Sequence, residues 1–255
     1  MRSLRERIAH DGHVFNFYCT IPAPFIAELA GRAGFGAVTL DLQHGLIDYH
    51  AAVAMITALS GCDVVPMVRT PPLDAGLSMK LLDAGFLGIT CALIETGDEA
   101  EALVTACRYP PRGARSFGPL RAGTVYQDYF ARSSEMVTLF AMVESRKGYE
   151  NLDEILGVDG IDGIYIGPID LALSMGYLPR LDNMPDEVSE AIEHILARCR
   201  ETGKICGMIA PDGIQAAALV RRGFSFVTIS NDVRAIGEAL GAWIRDARDP
   251  LGEAG

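Results

Sequence analysis

The sequence predicts a single (β/α)₈ barrel, because eight short apolar runs alternate with longer segments of helical apolar spacing along its 255 residues. With 49% hydrophobic residues the chain can bury a full core, and one barrel of this class commonly has this length. An open doubly wound sheet is the alternative. It would need a G-x-G-x-x-G turn after its first strand, where this chain reads CTIPAPF. We therefore expect one closed barrel over residues 1–255.

The predicted strands are the short apolar runs, taken in chain order. They span residues 14–19, 36–41, 63–68, 86–91, 138–143, 162–166, 205–209 and 225–229. Between them, apolar residues recur three and four positions apart, which is typical of helices packed on one face. Several of these segments end in Gly directly before the next strand, as helix C-caps do.

Two stretches exceed a minimal barrel. Residues 108–137 form a long insertion between units four and five, and we expect it to be a lid or a contact surface. Residues 185–202 form an extra helix after unit six, whose apolar face we expect a neighbouring subunit to cover. The C-terminal helix, residues 231–247, is a second candidate for such a contact, and residues 248–255 are expected to be a flexible tail.

The bulk properties limit the partners and the compartment. The net charge of −11 argues against nucleic acid and against a membrane, because polyanionic surfaces repel it. No apolar stretch is long enough for a membrane span, and the charged N-terminus lacks the apolar core of a secretory signal. The six cysteines have no metal-site spacing, so we expect reduced thiols in a cytoplasmic protein.

Two carboxylates end apolar runs 26 residues apart, Glu144 after LFAMV and Asp170 after GIYIGPI. In a barrel of β/α units, these positions lie where strands lead into the loops that carry the chemistry. Carboxylate oxygens suit Mg²⁺ or Mn²⁺, and two such ligands leave about four octahedral positions open. Each acid alone is as well explained as a solvated loop residue, and Asp170 also suits the first turn of a helix that begins at Pro168. Together they predict a metal site.

A second group of polar residues ends the second and third strands. Asp41 precedes His44 by three residues, and a carboxylate within reach of an imidazole fixes its tautomer for acid–base work. Arg69 ends the third strand, where it would stabilise the charge that develops on an enolate oxygen. Asp83 is either a surface acid at a helix end or a residue that organises the His44 and Arg69 loops.

The segment Gly167–Ile169 is the predicted grip for a substrate carboxylate. Gly167 lets the backbone approach a ligand closely, and Pro168 opens a helix whose first N–H groups are unpaired. Arginines of the insertion, at positions 112, 115 and 121, are expected to be solvated or oligomer contacts. Its tyrosines at positions 126 and 129 are expected to pack rather than to catalyse.

These motifs together resemble the HpcH/HpaI aldolase family, which includes the 4-hydroxy-2-oxoheptanedioate aldolases and related metal-dependent (class II) pyruvate and hydroxypyruvate aldolases. The resemblance covers about residues 15–245. It is carried by LDLQHG, VRTP (68–71), LLDAGFLGI, YPPRGAR, VES (143–145) and GIYIGPIDLALSMGY. It implies a phosphoenolpyruvate/pyruvate-type barrel that reversibly cleaves 4-hydroxy-2-oxo acids into pyruvate, or a close relative, and an aldehyde. It also implies a homohexamer whose subunits exchange helices.

The resemblance implies a role for each candidate residue. Glu144 and Asp170 would bind Mg²⁺, Mn²⁺ or Co²⁺, and the His44–Asp41 pair would be the acid–base group. Arg69 would stabilise the enolate. The backbone at Gly167, Pro168 and Ile169 would hold the substrate carboxylate.

The chain departs from the family pattern at three points. Gln43 stands where a Glu is common, the fourth strand ends in CALI instead of VPMV, and Met142 stands where a Gln is frequent. Gln43, with Gly45 two positions later, resembles members that act on small hydroxylated oxo acids such as hydroxypyruvate, so Gln43 joins the predicted substrate-binding residues. Two rival functions remain: decarboxylation of oxaloacetate or a similar β-oxo acid at the same metal site, and a non-catalytic barrel.

Overall fold

The computed structural model describes residues 2–180 and 184–251. Within these ranges, eight parallel strands form a closed barrel in chain order, and the last strand closes against the first. The strands are β1 Val14–Cys19, β2 Ala37–Asp41, β3 Val65–Thr70, β4 Gly88–Cys91, β5 Thr138–Val143, β6 Gly163–Ile166, β7 Ile205–Ala210 and β8 Phe226–Asn231. The predicted barrel and its strands are confirmed. The third strand begins and ends two residues later than predicted, so Arg69 lies inside β3.

Helices cover the outside of the barrel. Those in the described ranges are α1 Leu4–Asp11, α2 Pro24–Arg32, α3 Tyr49–Leu59, α4 Ala75–Ala84, α5 Gly97–Cys107, α6 Leu120–Val125, α7 Tyr129–Met136, α8 Arg146–Glu150, α9 Leu152–Gly157, α10 Pro168–Ser174, α11 Asp186–Glu201, α12 Gly213–Arg222 and α13 Asp232–Arg248. Two predicted glycine caps are present, Gly85 after α4 and Gly223 after α12, both in the left-handed conformation that glycine adopts at little cost. No helix of the described ranges is both long and apolar enough to cross a membrane.

The barrel interior is filled with side chains and has no pore. Phe140 and Phe226 stack with ring centroids 5.1 Å apart. Gly88 leaves room for Met67, since a Cβ at Gly88 would lie 2.1 Å from the Met67 sulfur. A layered, filled interior of this kind puts the only access to reactive groups at the rims of the barrel.

The insertion, residues 108–137, lies at the end of the barrel where the strands begin. Arg121 donates to the carbonyl oxygen of Ala84 at 2.7 Å, and the Tyr126 hydroxyl donates to that of Gly85 at 2.9 Å, both at the C-terminal end of α4. Within one chain the insertion is therefore no lid over the mouth, the rim at the carboxyl ends of the strands, and the alternative of a contact surface stays a prediction. The insertion follows a helix and precedes a strand, and such connections lie opposite the loops that carry the chemistry.

The two candidate exchange helices differ in what covers them. The apolar face of α11 is already buried on its own barrel, through Val188, Ile192, Ile195, Leu196 and Cys199. The expectation that a neighbouring subunit covers this helix is wrong, because α11 packs between β6, β7 and α10.

Helix α13 is the opposite case, since its apolar face is exposed. Leu240, Trp243 and Ile244 are 54%, 67% and 50% exposed. The expected flexible tail is helical as far as it is described: Arg248 ends α13, a 3₁₀ turn spans Asp249–Leu251, and residues 252–255 lie outside the described residues.

Candidate active site

A cavity of about 210 Å³ opens at the carboxyl ends of the strands. Its walls include Asp41, His44, Arg69 and Asp170, together with the segment Gly167–Ile169. Residues that are up to 129 positions apart in the chain thus meet at one rim, because all eight strands run in the same direction.

Asp41 and Arg69 form a buried bidentate ion pair. They are direct partners in the register between β2 and β3. Arg69 Nε donates to Asp41 Oδ1 at 2.9 Å and Arg69 Nη2 donates to Oδ2 at 2.7 Å, with Asp41 only 1% exposed. Burial lowers the pKa of Arg69, but Tyr18 and Asp41 outweigh it and the net pKa shift is upward. Arg69 is a permanent cation in a fixed orientation.

This pairing corrects the predicted acid–base pair. Asp41 Oδ1 also accepts the backbone N–H groups of Gln43 and His44, at 3.1 and 3.3 Å. The carboxylate thereby shapes the loop, whereas the His44 ring is exposed at the rim and forms no hydrogen bond with a side chain of the described ranges. Asp41 orients Arg69, and no hydrogen bond joins the Asp41 carboxylate to the His44 ring.

Glu144 is a buried carboxylate with one free oxygen. It is 2% exposed, and its Oε1 accepts the backbone N–H of Leu93 at 3.0 Å. Leu93 has a φ of 52°, an uncommon left-handed conformation for a leucine, which aims this N–H at the carboxylate. Oε2 is buried and has no hydrogen-bond partner among the described residues. The pKa of Glu144 is raised to about 7, chiefly by burial and in part by the charge of Asp170, against the lowering effect of the Leu93 N–H.

Gly167 and Gln43 lie directly against this carboxylate. A Cβ at position 167 would lie 2.5 Å from Glu144 Oε2, so only glycine fits there. The Gln43 side chain is close enough to lower the pKa of Glu144 but forms no hydrogen bond of normal geometry with it, and the Gln43 Oε1 atom is buried without a partner among the described residues. A glutamate at position 43 would put a second negative charge beside Glu144.

Asp170 supplies the second carboxylate at the mouth. It lies in the first turn of α10, is exposed, and forms no side-chain hydrogen bond with a described residue. Its effect on the pKa of Glu144 shows that the two carboxylates are close enough to interact. Within the described ranges, no three or more His, Cys, Asp or Glu side chains cluster as metal ligands. A cation at this mouth would therefore rest on two carboxylates.

Asp83 lies at the other end of its own barrel, so within one chain it does not organise the His44 and Arg69 loops and fits the other interpretation, an acid at a helix end. It sits in the last turn of α4, which runs away from the mouth, and its Oδ1 accepts from Arg115 Nη2 at 2.6 Å. The sequence predicted a solvated or oligomer-contact Arg115, but Arg115 is only 2% exposed. Its Cζ atom lies 4.5 Å from the Tyr109 ring centroid and 5.5 Å from the Tyr129 ring centroid. The packing role expected for Tyr129 is confirmed.

Tyr18 is a site residue that the sequence analysis missed. It projects from β1 into the cavity, is 3% exposed, and its ring centroid lies 4.9 Å from the Arg69 Cζ atom. The run VFNFYC is explained equally well by a core strand. The available signal was the alternation of Asn16 and Tyr18, which puts two polar-tipped side chains on the interior face of β1.

A closed barrel with charged groups gathered at the carboxyl ends of its strands has the architecture of a barrel enzyme. A family model described as HpcH/HpaI aldolase/citrate lyase matches residues 15–239, and the chain belongs to this family. The chain is 42% identical over 229 residues to a hydroxypyruvate/pyruvate aldolase of Rhizorhabdus wittichii, covering 89% of this chain and 91% of the relative.

Further comparisons agree. A 5-keto-4-deoxy-D-glucarate aldolase of Salmonella arizonae is 34% identical over 219 residues, covering 85% of each chain. The crystal structure of an HpcH/HpaI aldolase/citrate lyase family protein from Burkholderia cenocepacia superimposes with a TM-score of 0.89 at 26% identity, covering 97% of this chain and all of the other. The predicted family and fold are confirmed, and the chain is an aldolase-family lyase.

Replacement of Glu144 by Gln is expected to stabilise chelator-treated protein above pH 7. The pKa of Glu144 is about 7 in the folded chain and 4.5 ordinarily, so the folded state binds the proton more tightly. The free energy of unfolding therefore falls as the pH rises from about 4.5 through about 7, and the penalty above that window is about 3 kcal/mol.

Urea denaturation at about pH 5 and about pH 8 measures this effect. Asp153→Asn is the control, since the Asp153 side chain is 72% exposed. The difference in the free energy of unfolding between Glu144→Gln and the wild type should be larger at about pH 8 than at about pH 5. An equal difference at the two pH values would contradict the interpretation of Glu144 as a buried acid.

Proposed function

We propose that this protein is a divalent-metal-dependent aldolase that reversibly cleaves 4-hydroxy-2-oxo acids to pyruvate or hydroxypyruvate and an aldehyde. The observation that carries this proposal is the juxtaposition, at one rim, of a buried carboxylate with a free oxygen and a cation fixed by a bidentate pair. The name of the 42% identical relative, hydroxypyruvate/pyruvate aldolase, supports the choice of donor substrate.

Glu144 and Asp170 are the proposed metal ligands. Their fit to a hard cation rests on the buried, unpartnered Glu144 Oε2 and on the Asp170 carboxylate, which no described side chain occupies. When bound, Mg²⁺, Mn²⁺ or Co²⁺ would act as a Lewis acid on the 2-oxo acid. The same ion would favour the ionised form of Glu144, which burial alone disfavours.

Arg69 is the proposed partner of the negative charge that develops on the C2 oxygen when the C3–C4 bond breaks. Asp41 occupies Nε and Nη2, which leaves Nη1 without a protein acceptor among the described residues. A donor that is already oriented needs no reorganisation during the reaction, and this is the main source of its catalytic effect. The segment Gly167–Ile169 forms the wall against which the substrate carboxylate would lie, and Gln43 flanks Glu144.

His44 is the proposed proton carrier. Its exposed position at the rim suits the aldehyde end of the substrate, which must enter and leave from solvent. In cleavage, His44 would take the proton from the C4 hydroxyl as the C3–C4 bond breaks, the aldehyde carbonyl forms and the bonding pair passes into the enolate. A proton added to C3 of the enolate then gives pyruvate or hydroxypyruvate. In synthesis, His44 would return its proton to the new alkoxide.

Chelation is expected to abolish turnover of pyruvate or hydroxypyruvate with an aldehyde, and Mg²⁺, Mn²⁺ or Co²⁺ should restore it. A panel of aldehydes is assayed with each donor, and metal binding is followed by calorimetry. Glu144→Gln and Asp170→Asn should each lose measurable metal binding and turnover, while Asp153→Asn retains both, because Asp153 lies on the surface beside Arg198. Full activity after chelation, with borohydride trapping a lysine adduct, would indicate a Schiff-base aldolase instead.

His44→Ala separates aldol cleavage from decarboxylation. Loss of the proton carrier should reduce aldol turnover by about 10²–10⁴-fold. Decarboxylation of oxaloacetate needs no base at a C4 hydroxyl and should persist. His194→Ala is the matched control, since His194 pairs with Tyr149 on the outside of the barrel. Equal loss of both reactions in His44→Ala, or an unaffected aldol reaction, would count against the assigned role.

The surroundings of the enzyme are also part of the proposal. The partners would be small-molecule oxo acids and aldehydes and not nucleic acid or membranes, consistent with the net charge of −11. The cysteines are all free thiols, and all but Cys62 are buried, as suits a reducing compartment such as the cytoplasm.

We propose further that the protein is a homohexamer assembled through α13. This helix leaves Leu240, Trp243 and Ile244 exposed, and α2 exposes Phe25 and Leu29 at 66% and 50%. Two exposed apolar faces of one chain can cover each other when subunits associate.

Light scattering at micromolar concentration should give a mass several times 27.4 kDa. The double variant Leu240→Glu, Trp243→Glu should lower this mass, because charges on the apolar face oppose its burial. Glu238→Gln, on the polar side of the same helix, should leave the mass unchanged. A wild-type mass of one chain would contradict the proposed assembly.

A further inference from the structure

The Tyr18 hydroxyl is a buried polar group at the mouth that has no partner. Tyr18 is 3% exposed, and its oxygen forms no hydrogen bond with any described residue. Native proteins pair nearly all such groups, so an unpaired hydroxyl at the wall of a cavity indicates a ligand. The charges of Arg69, Asp41 and Glu144 all influence the pKa of Tyr18, which places this hydroxyl among the charged groups of the site.

Four other polar groups of the barrel interior are paired with one another. Tyr165 donates to Thr228 Oγ1 at 2.7 Å, Asn16 donates to the same oxygen at 2.9 Å, and Thr39 donates to Asn16 Oδ1 at 2.9 Å. Tyr165 lies next to Tyr18, with ring centroids 6.2 Å apart, and the two hydroxyls are close enough to shift each other's pKa. No hydrogen bond of normal geometry joins them, and Tyr165 donates its own proton to Thr228. Tyr18 therefore borders this network without a hydrogen bond to it.

The ring of Tyr18 has a separate contact, with the face of the Arg69 guanidinium. The Arg69 Cζ atom lies 4.9 Å from the ring centroid, within the range of a cation–π contact. Asp41 holds one edge of the same guanidinium. Edge and face of the guanidinium are thus both fixed, and Arg69 and Tyr18 both line the cavity at the carboxyl ends of the strands.

We propose that Tyr18 is a substrate-binding residue of this aldolase, whose hydroxyl donates a hydrogen bond to the C2 oxygen of the 2-oxo acid beside Arg69 and whose ring positions the guanidinium. The inference rests on the proposed function, and it adds a neutral hydrogen-bond donor, the Tyr18 hydroxyl, to the charged donor Arg69. Burial raises the pKa of Tyr18, so the hydroxyl keeps its proton and remains a donor at neutral pH. Two fixed donors directed at one developing negative charge form the arrangement of an oxyanion hole.

The test compares Tyr18→Phe, which removes only the hydroxyl, with the wild type. In the assay with pyruvate or hydroxypyruvate and an aldehyde, kcat should fall by about 10²-fold with both donors, since the C2 oxygen is common to them. KM should change much less, because the bond strengthens as charge develops. The thermal midpoint should be equal or higher, because removing an unpaired buried hydroxyl does not destabilise the free protein.

Two further variants control for packing. Tyr126→Phe removes a hydroxyl that donates to Gly85 O at the far end of the barrel, so activity should be unchanged and the midpoint lower. Tyr18→Leu removes the ring as well, and should lower kcat further than Tyr18→Phe because Arg69 loses its stacking partner.

An unchanged kcat in Tyr18→Phe, or a fall in kcat accompanied by a lower midpoint, would overturn the role of Tyr18 while leaving the aldolase intact. A wild type without turnover of any oxo acid and aldehyde would overturn the proposed function, and this inference with it.

Discussion

The ion pair between Asp41 and Arg69 organises the mouth of this barrel. Both residues occupy the same register level of neighbouring parallel strands, so their side chains meet inside the barrel without any help from a loop. The carboxylate serves three purposes with two oxygens: it neutralises Arg69, fixes the plane of the guanidinium, and holds the Gln43 and His44 N–H groups. A buried charge pair contributes little net stability after desolvation, but it specifies geometry, and geometry is what the mouth requires.

Glu144 is the complementary case of a charge that the fold leaves uncompensated. One backbone N–H and the Gln43 amide do not offset its burial, and its pKa rises to about 7. The surroundings are nevertheless built closely around the carboxylate, with Leu93 in a left-handed conformation and Gly167 in direct contact. Such an arrangement keeps a buried acceptor without a protein partner at a cost to the free energy of unfolding, as is common at functional sites.

The two ends of the barrel serve different purposes. Three buried polar atoms at the mouth have no hydrogen-bond partner among the described residues: Glu144 Oε2, the Tyr18 hydroxyl oxygen and the Gln43 amide oxygen. At the other end, two arginines of the insertion form ion pairs, Arg115 with Asp83 and Arg108 with Asp162, although Arg115 Nε and the Tyr109 hydroxyl are buried there without a partner among the described residues. Paired charges there join the insertion to the helix and strand ends, whereas unpaired groups at the mouth are available to a substrate.

The sequence by itself determined the fold class, the eight strands and most of the mouth, because these depend on local signals. Apolar runs, glycine caps and the polar residue that follows each strand are readable along the chain, and parallel strands necessarily bring those polar residues to one rim. Glu144, Asp170, Arg69, His44 and Asp41 were found in this way.

Only the tertiary structure decided how these residues pair. Asp41 is three positions from His44 but binds Arg69, 28 positions away, because register across the sheet and not distance along the chain sets which side chains meet. In the sequence, Tyr18 is not distinguishable from a core residue of β1, and only the structure shows its hydroxyl unpaired beside Arg69. Asp83 was a candidate site residue, but α4 runs away from the mouth and places Asp83 at the opposite end of the barrel. Partner choice is a property of packing in three dimensions, and a single sequence does not encode it in any local pattern.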